Sequence, residues 1–108
     1  MKYVLFTVFE DSQATQTLLA DLFKKGYNGT MMGASSVNHT FSEKKNAPMF
    51  SLSNYAEGVK DPNLAVFFIV EEERLKPLQE AIREQTGSFQ KIHGAMMVFP
   101  LEQYEGSF

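Results

Sequence analysis

The sequence contains no cysteine. That excludes disulfide frameworks, thiolate nucleophiles and thiolate metal sites, and it is compatible with a reducing compartment. Histidine is scarce too, with only His39 and His93. Glu43 follows His39 by four positions, a spacing that suits a metal only on a helix, and the Ser, Asn and Pro around it argue against a helix there. Basic charge is not in excess: ten Lys and Arg stand against thirteen Asp and Glu, a net −3. This removes any broad electrostatic reason to bind nucleic acid or anionic lipid. The one basic pair in the middle, Lys44-Lys45, reads as solvated loop. No apolar run could span a bilayer, since the first ends at Glu10-Asp11 with no cleavage-site pattern after it. The expectation is a single cytoplasmic domain over residues 1–108, with no nucleic-acid partner and no membrane insertion. The Asn-x-Thr sequons at Asn28 and Asn38 are then chance matches. No serine sits in a G-x-S-x-G elbow, and Glu71-Glu72-Glu73 reads as a charged helix start rather than an acid/base pair. No catalytic residue, metal site or cofactor is expected.

What the chain does have is a plan used twice. Tyr3 to Phe9 is an apolar strand that meets Glu10-Asp11, followed by a helical pattern that stops at Gly26. Leu64 to Val70 is a second apolar strand that meets Glu71-Glu72-Glu73, followed by a helical pattern that stops at Gly87. Glu10 to Gly26 and Glu71 to Gly87 are both sixteen positions, and each unit precedes a Met-Met pair, Met31-Met32 and Met96-Met97. Ser12 is placed to cap the first helix, whose stripe is Ala14, Leu18, Leu19, Leu22 and Phe23. Gly26 then supplies positive φ after Lys24-Lys25. Leu75, Leu78, Ala81 and Ile82 form the second stripe, with Pro77 expected in the first turn. Residues 27–34 and 91–100 read as returning strands, and the methionine pairs as core. The order is βαββαβ: an α+β, ferredoxin-like domain with a four-stranded antiparallel sheet and two helices on one face.

Both long strands are apolar on both faces, with Val4, Phe6 and Val8 opposing Tyr3, Leu5 and Phe9. Two helices cover one face of such a sheet. Each large apolar side chain left in water forgoes roughly 1.5–3 kcal/mol of burial. The uncovered face is therefore expected to pack against other copies in a closed homo-oligomer.

From 35 to 63 no periodicity survives, and a loop of about thirty residues in a small domain is either functional or a tolerated insertion. It carries Val37, Phe41, Met49, Phe50, Leu52 and Tyr55. Met49 to Leu52 is a candidate for local strand pairing, and the whole segment is expected to order against a ligand, a partner or its own oligomer.

Gly26-Tyr27-Asn28-Gly29-Thr30-Met31-Met32, Gln85-Thr86-Gly87, and Gly94 to Phe99 running into Pro100-Leu101-Glu102-Gln103-Tyr104 resemble the PII signal-transduction family. The ending is similar to its cyclic-di-AMP-receptor branch. The resemblance implies a homotrimer that binds a small nucleotide between subunits, with residues of about 35–63 as the T-loop that contacts a target protein. Carried over by position, the ligand-binding residues would be Gly29, Thr30, Gly33, Ser35 and Ser36 on one wall, with Gly87 and Gly94 on the other. Ala95 stands where the classical family has a Lys, and Glu102 and Glu105 stand where it has arginines. A triphosphate needs such cations. A ligand with less phosphate charge than ATP is thus expected, such as a nucleoside monophosphate or a cyclic dinucleotide. Two alternatives stay open: a dimeric α+β-barrel enzyme using His39 or His93 as base, and a trimer of the divalent-cation-tolerance type.

Overall fold

The computed structural model describes residues 1–35, 37 and 62–107. Among the described residues six elements follow the expected order: β1 (Lys2–Glu10), α1 (Gln13–Lys24), β2 (Thr30–Ala34), β3 (Asn63–Glu71), α2 (Glu72–Thr86) and β4 (Gly94–Pro100). The strands lie in the order β2-β3-β1-β4, with every neighbouring pair antiparallel. This is the α+β, ferredoxin-like βαββαβ arrangement, with β1 and β3 central.

Register assigns the faces. Leu5 pairs with Phe68 and Val98, and Thr7 pairs with Val66 and Met96. With Phe9 they form the helix-covered face, closed by Leu18 and Leu22 of α1, Leu78 and Ile82 of α2, and Ile92. Thr7 is fully buried in this apolar layer, and its hydroxyl donates to the Val66 carbonyl at 2.8 Å. That bond removes the cost of burying a free hydroxyl. The opposite face carries Val4, Phe6, Val8, Ala65, Phe67, Ile69, Met97 and Phe99, and neither α1 nor α2 covers it.

Ser12 caps α1 as expected, its Oγ accepting from the Thr15 N–H at 3.2 Å. Gly26 adopts φ +90 just past that helix. The buried stripe, however, is Thr15, Leu18 and Leu22, while Ala14 and Phe23 face outward, Phe23 at 69% exposure. The Thr15 hydroxyl donates to the Glu10 carbonyl at 2.6 Å, which rotates α1 toward its threonine side. Pro77 is likewise not in the first turn: α2 begins at Glu72, so Pro77 lies one turn deeper. The acidic run joins the helix, where carboxylates complement the positive end of the dipole. Glu72 is held at both ends, its N–H donating to the Met1 carbonyl at 3.0 Å and its carboxylate accepting from Tyr3 Oη at 3.0 Å. The carboxylate partner raises the Tyr3 hydroxyl above its ordinary pKa.

The returning strands are shorter than the sequence suggests. Tyr27 is occupied outside β2: the Arg74 guanidinium lies 4.4 Å from its ring and donates to the Gly26 carbonyl at 3.3 Å. Before β4, Ser88 and Phe89 take φ +54 and +65, so the chain turns tightly and Ile92 drops into the core. Met96 packs against the core, but Met31, Met32 and Met97 are 59%, 50% and 40% exposed and do not. Met31 and Met32 lie on an edge strand that neither helix shields.

Candidate ligand site and interface

One row of the sheet holds two of the predicted residues. Gly33 pairs with Leu64, Leu64 with Phe9, and Phe9 with Gly94. Gly33 is on the β2 edge and Gly94 on the β4 edge, three strand spacings or about 14 Å apart. Ser35 follows Gly33 at the same end of the sheet. Gly87 caps α2 in the left-handed conformation, φ +61, and the short 88–93 turn leads from it to Gly94. Gly29 and Thr30 stand apart from this end, with Thr30 opposite Phe67, three residues along β3 from the Gly33 row. Within one chain the two expected walls do not converge. Ser36 lies outside the described residues, as do His39, Lys44, Lys45, Met49 to Leu52 and Tyr55.

Two of these glycines have a packing reason. A Cβ at Gly94 would overlap the Val8 carbonyl oxygen, and one at Gly29 would lie 2.8 Å from the Phe67 oxygen and 2.9 Å from the Phe68 ring. Both let neighbouring backbone approach closely. The turn after Gly87 brings a cation that sequence reasoning does not single out. A Cβ at Gly87 would lie 3.0 Å from the Lys91 Cγ, so the Lys91 stem runs alongside that turn. His93 is structural through its backbone: its carbonyl accepts from Glu10 N–H at 3.0 Å, and its N–H donates to the Glu10 carboxylate at 3.3 Å. Among the described residues no group of three His, Asp or Glu side chains could hold a metal ion. None of their helices is long and apolar enough to cross a membrane.

Among the described residues a hollow runs along the seam between α1 and β2. One part, about 370 Å³, is bounded by Asp11, Gln16, Leu19, Met31 and Leu64. The other, about 130 Å³, adds Phe23, Tyr27, Asn28, Gly29, Val66 and Phe68 to the shared Leu19 and Met31. Of the predicted residues only Gly29 lines it. Sequence reasoning misses this groove because it places Phe23 and Met31 in the core; an edge strand beside a rotated helix leaves both outside. A smaller dent on the open face, about 20 Å³, is formed by Asn28, Thr30, Phe67 and Ile69.

Electrostatically the site is sparse. Lys2 Nζ bonds Glu71 Oε1 at 2.6 Å at one end of the open face. This hydrogen bond raises the Lys2 pKa and lowers that of Glu71. Asp21 joins the helices, accepting from Lys25 at 3.2 Å and from Gln85 at 2.7 Å, and the Lys25 bond lowers its pKa.

No family model matches the sequence, and no curated protein does. Solved structures share the fold. A protein of unknown function from Pediococcus pentosaceus superposes with a TM-score of 0.62 at 13% identity, covering 98% of this chain and 97% of its own. A protein from Thermus thermophilus described as PII-like in signalling superposes with a TM-score of 0.52 at 15% identity, covering 92% and 87%. At these identities the similarity is one of fold, and it extends over nearly the whole chain.

Proposed function

We propose that this chain is a PII-like sensor: a non-catalytic homotrimer that binds a small ligand in the cleft between subunits and reports it through residues of about 35–63 to a target protein. The observation that carries this reading is the row Gly33–Leu64–Phe9–Gly94. It sets the two groups of candidate residues on opposite edges of one sheet, so that only a neighbouring copy can bring Gly33 and Ser35 against Gly87 and Gly94. The uncovered apolar face supports the same assembly, because large exposed apolar patches mark interaction surfaces. The fold shared with a PII-like structure is consistent with it. Among the described residues Lys91, beside Gly87, is a cation on the second wall, and one cation there suits a monophosphate or cyclic dinucleotide better than a triphosphate.

Binding would act by favouring one arrangement of the long segment over others, with no bond made or broken. A thermal-shift panel of adenine and guanine mono-, di- and triphosphates, cyclic dinucleotides and divalent metals tests it. Selective stabilisation by one nucleotide class is expected, growing with the logarithm of ligand concentration above its dissociation constant. Lys91→Ala is expected to weaken that shift. Stabilisation by divalent metal alone would favour the metal-tolerance alternative.

A further inference from the structure

The segment after β4 meets the open sheet face at its Lys2 end. Lys2 shares its side of β1 with Val4, Phe6 and Val8, and its partner Glu71 shares its side of β3 with Phe67 and Ile69. Lys2 Nζ bonds the Glu71 carboxylate at 2.6 Å and lies 5.1 Å from the centre of the Tyr104 ring. Leu101 N–H donates to the Lys2 carbonyl at 3.0 Å, so the segment after β4 stays alongside β1 as it leaves the sheet. The segment then folds around the ring, since a Cβ at Gly106 would lie 3.3 Å from Tyr104 Oη. One lysine is therefore gripped by a carboxylate from β3 and an aromatic ring from residue 104, and both grips are on the uncovered side.

We propose that residues 101–107 form a strap, latched through Glu71, Lys2 and Tyr104, that closes the Lys2 end of the open sheet face. Unlatching it lengthens the apolar surface which that face offers to another copy of the chain. Another copy is the occupant because the β1 and β3 rows between Lys2–Glu71 and Glu10–Asn63 carry no charge at all. Two such faces can meet without desolvating an unpaired ion. In naming a second copy the inference rests on the assembly proposed above; the latch itself needs only the geometry of one chain. Glu71 is a positioning residue in this device: it acts on the strap through Lys2.

The test compares the parent with Tyr104→Ala, Glu71→Gln and Lys2→Arg by amide hydrogen exchange and sedimentation. Tyr104→Ala and Glu71→Gln are expected to speed exchange at the Leu101 amide about two- to fivefold, the scale of an exposed cation–ring contact. Exchange at Leu5 and Phe68 in the core should stay unchanged in Tyr104→Ala and rise by less than at Leu101 in Glu71→Gln, which separates strap release from general destabilisation. Tyr104→Ala, which keeps the Lys2–Glu71 ion pair, should also associate more tightly, whereas Lys2→Arg, which keeps the cation, should match the parent in both readouts. Unchanged exchange at Leu101 in Glu71→Gln would overturn the latch. Faster exchange in Tyr104→Ala with unchanged or weaker association would overturn the strap's role at the face. A monomeric parent counts against the trimer, and the strap is then judged on whether Tyr104→Ala begins to associate.

Discussion

Gly94 is a residue with no substitute at its position. Its missing side chain lets β4 run against the Val8 carbonyl, so Gly94→Ala must push the edge strand β4 away from β1. The expected loss is about 1–3 kcal/mol, the range for forcing an extra carbon into close packing, read from the urea midpoint. Thr7 makes the complementary case. Thr7→Val keeps the shape and deletes the donor to Val66, leaving a carbonyl short of a partner, and about 1 kcal/mol should be lost in the same measurement. Lys2 and Glu71 give a pH dependence. The Glu71 carboxyl is lowered on folding, so its contribution is present above the unfolded pKa and is lost as pH falls through the folded value. The Lys2 ammonium is raised, so its contribution is present below its unfolded pKa and is lost only as pH rises through the folded value. The pair is therefore flat across neutrality. The melting-temperature difference between the parent and Glu71→Gln should be largest near pH 7 and disappear below the ordinary carboxylate range. A difference that persists in acid would mean that the glutamate acts by shape rather than charge.

At the scale of elements, the two helices are legible in the sequence as helices but not in every face they present. Ser12, Gly26 and Gly87 set the ends by capping chemistry, which is local, and the structure keeps all three. Which stripe is buried is not local. The Thr15 hydroxyl, neutral in an apolar pattern, bonds the Glu10 carbonyl and turns Phe23 outward. Leu22→Ala should therefore cost about 2–5 kcal/mol, whereas Phe23→Ala, one position on, should stay within about 0.5 kcal/mol. The acidic run at the start of α2 reads in the sequence as a charged helix start, and the helix does begin there; what the pattern does not show is that Tyr3 and Met1, distant in sequence, bond Glu72. Pro77 then sits where its missing N–H leaves the Glu73 carbonyl without an intrahelical partner. Pro77→Ala is expected to raise the urea midpoint by an amount worth about 1 kcal/mol or more. β1 and β3 themselves follow from their continuous apolar runs, because both are long and central. The groove beside β2 could not be read from sequence, since five residues with two methionines look the same on an edge as in a core.

For the whole molecule, the decisive fact is that β1 and β3 are apolar on both sides while the helices occupy one. The sequence carries this fully, because strand alternation puts Val4, Phe6, Val8, Phe67 and Ile69 on the second face whatever the strand order. What it does not carry is where the candidate ligand residues fall relative to one another. Register answers that: Gly33 and Gly94 share a row at opposite edges, a geometry that makes sense of a site built from two chains. Phe99, half exposed on the open face, should be neutral in a lone chain and buried in an assembly. The measurement that bears most directly on the proposed assembly is the molar mass in solution by light scattering, for the parent and for Phe99→Glu. The parent should give the mass of three chains, and the glutamate variant, still folded by circular dichroism, should fall toward one. A parent that runs as a single chain at every concentration would contradict the shared-site sensor.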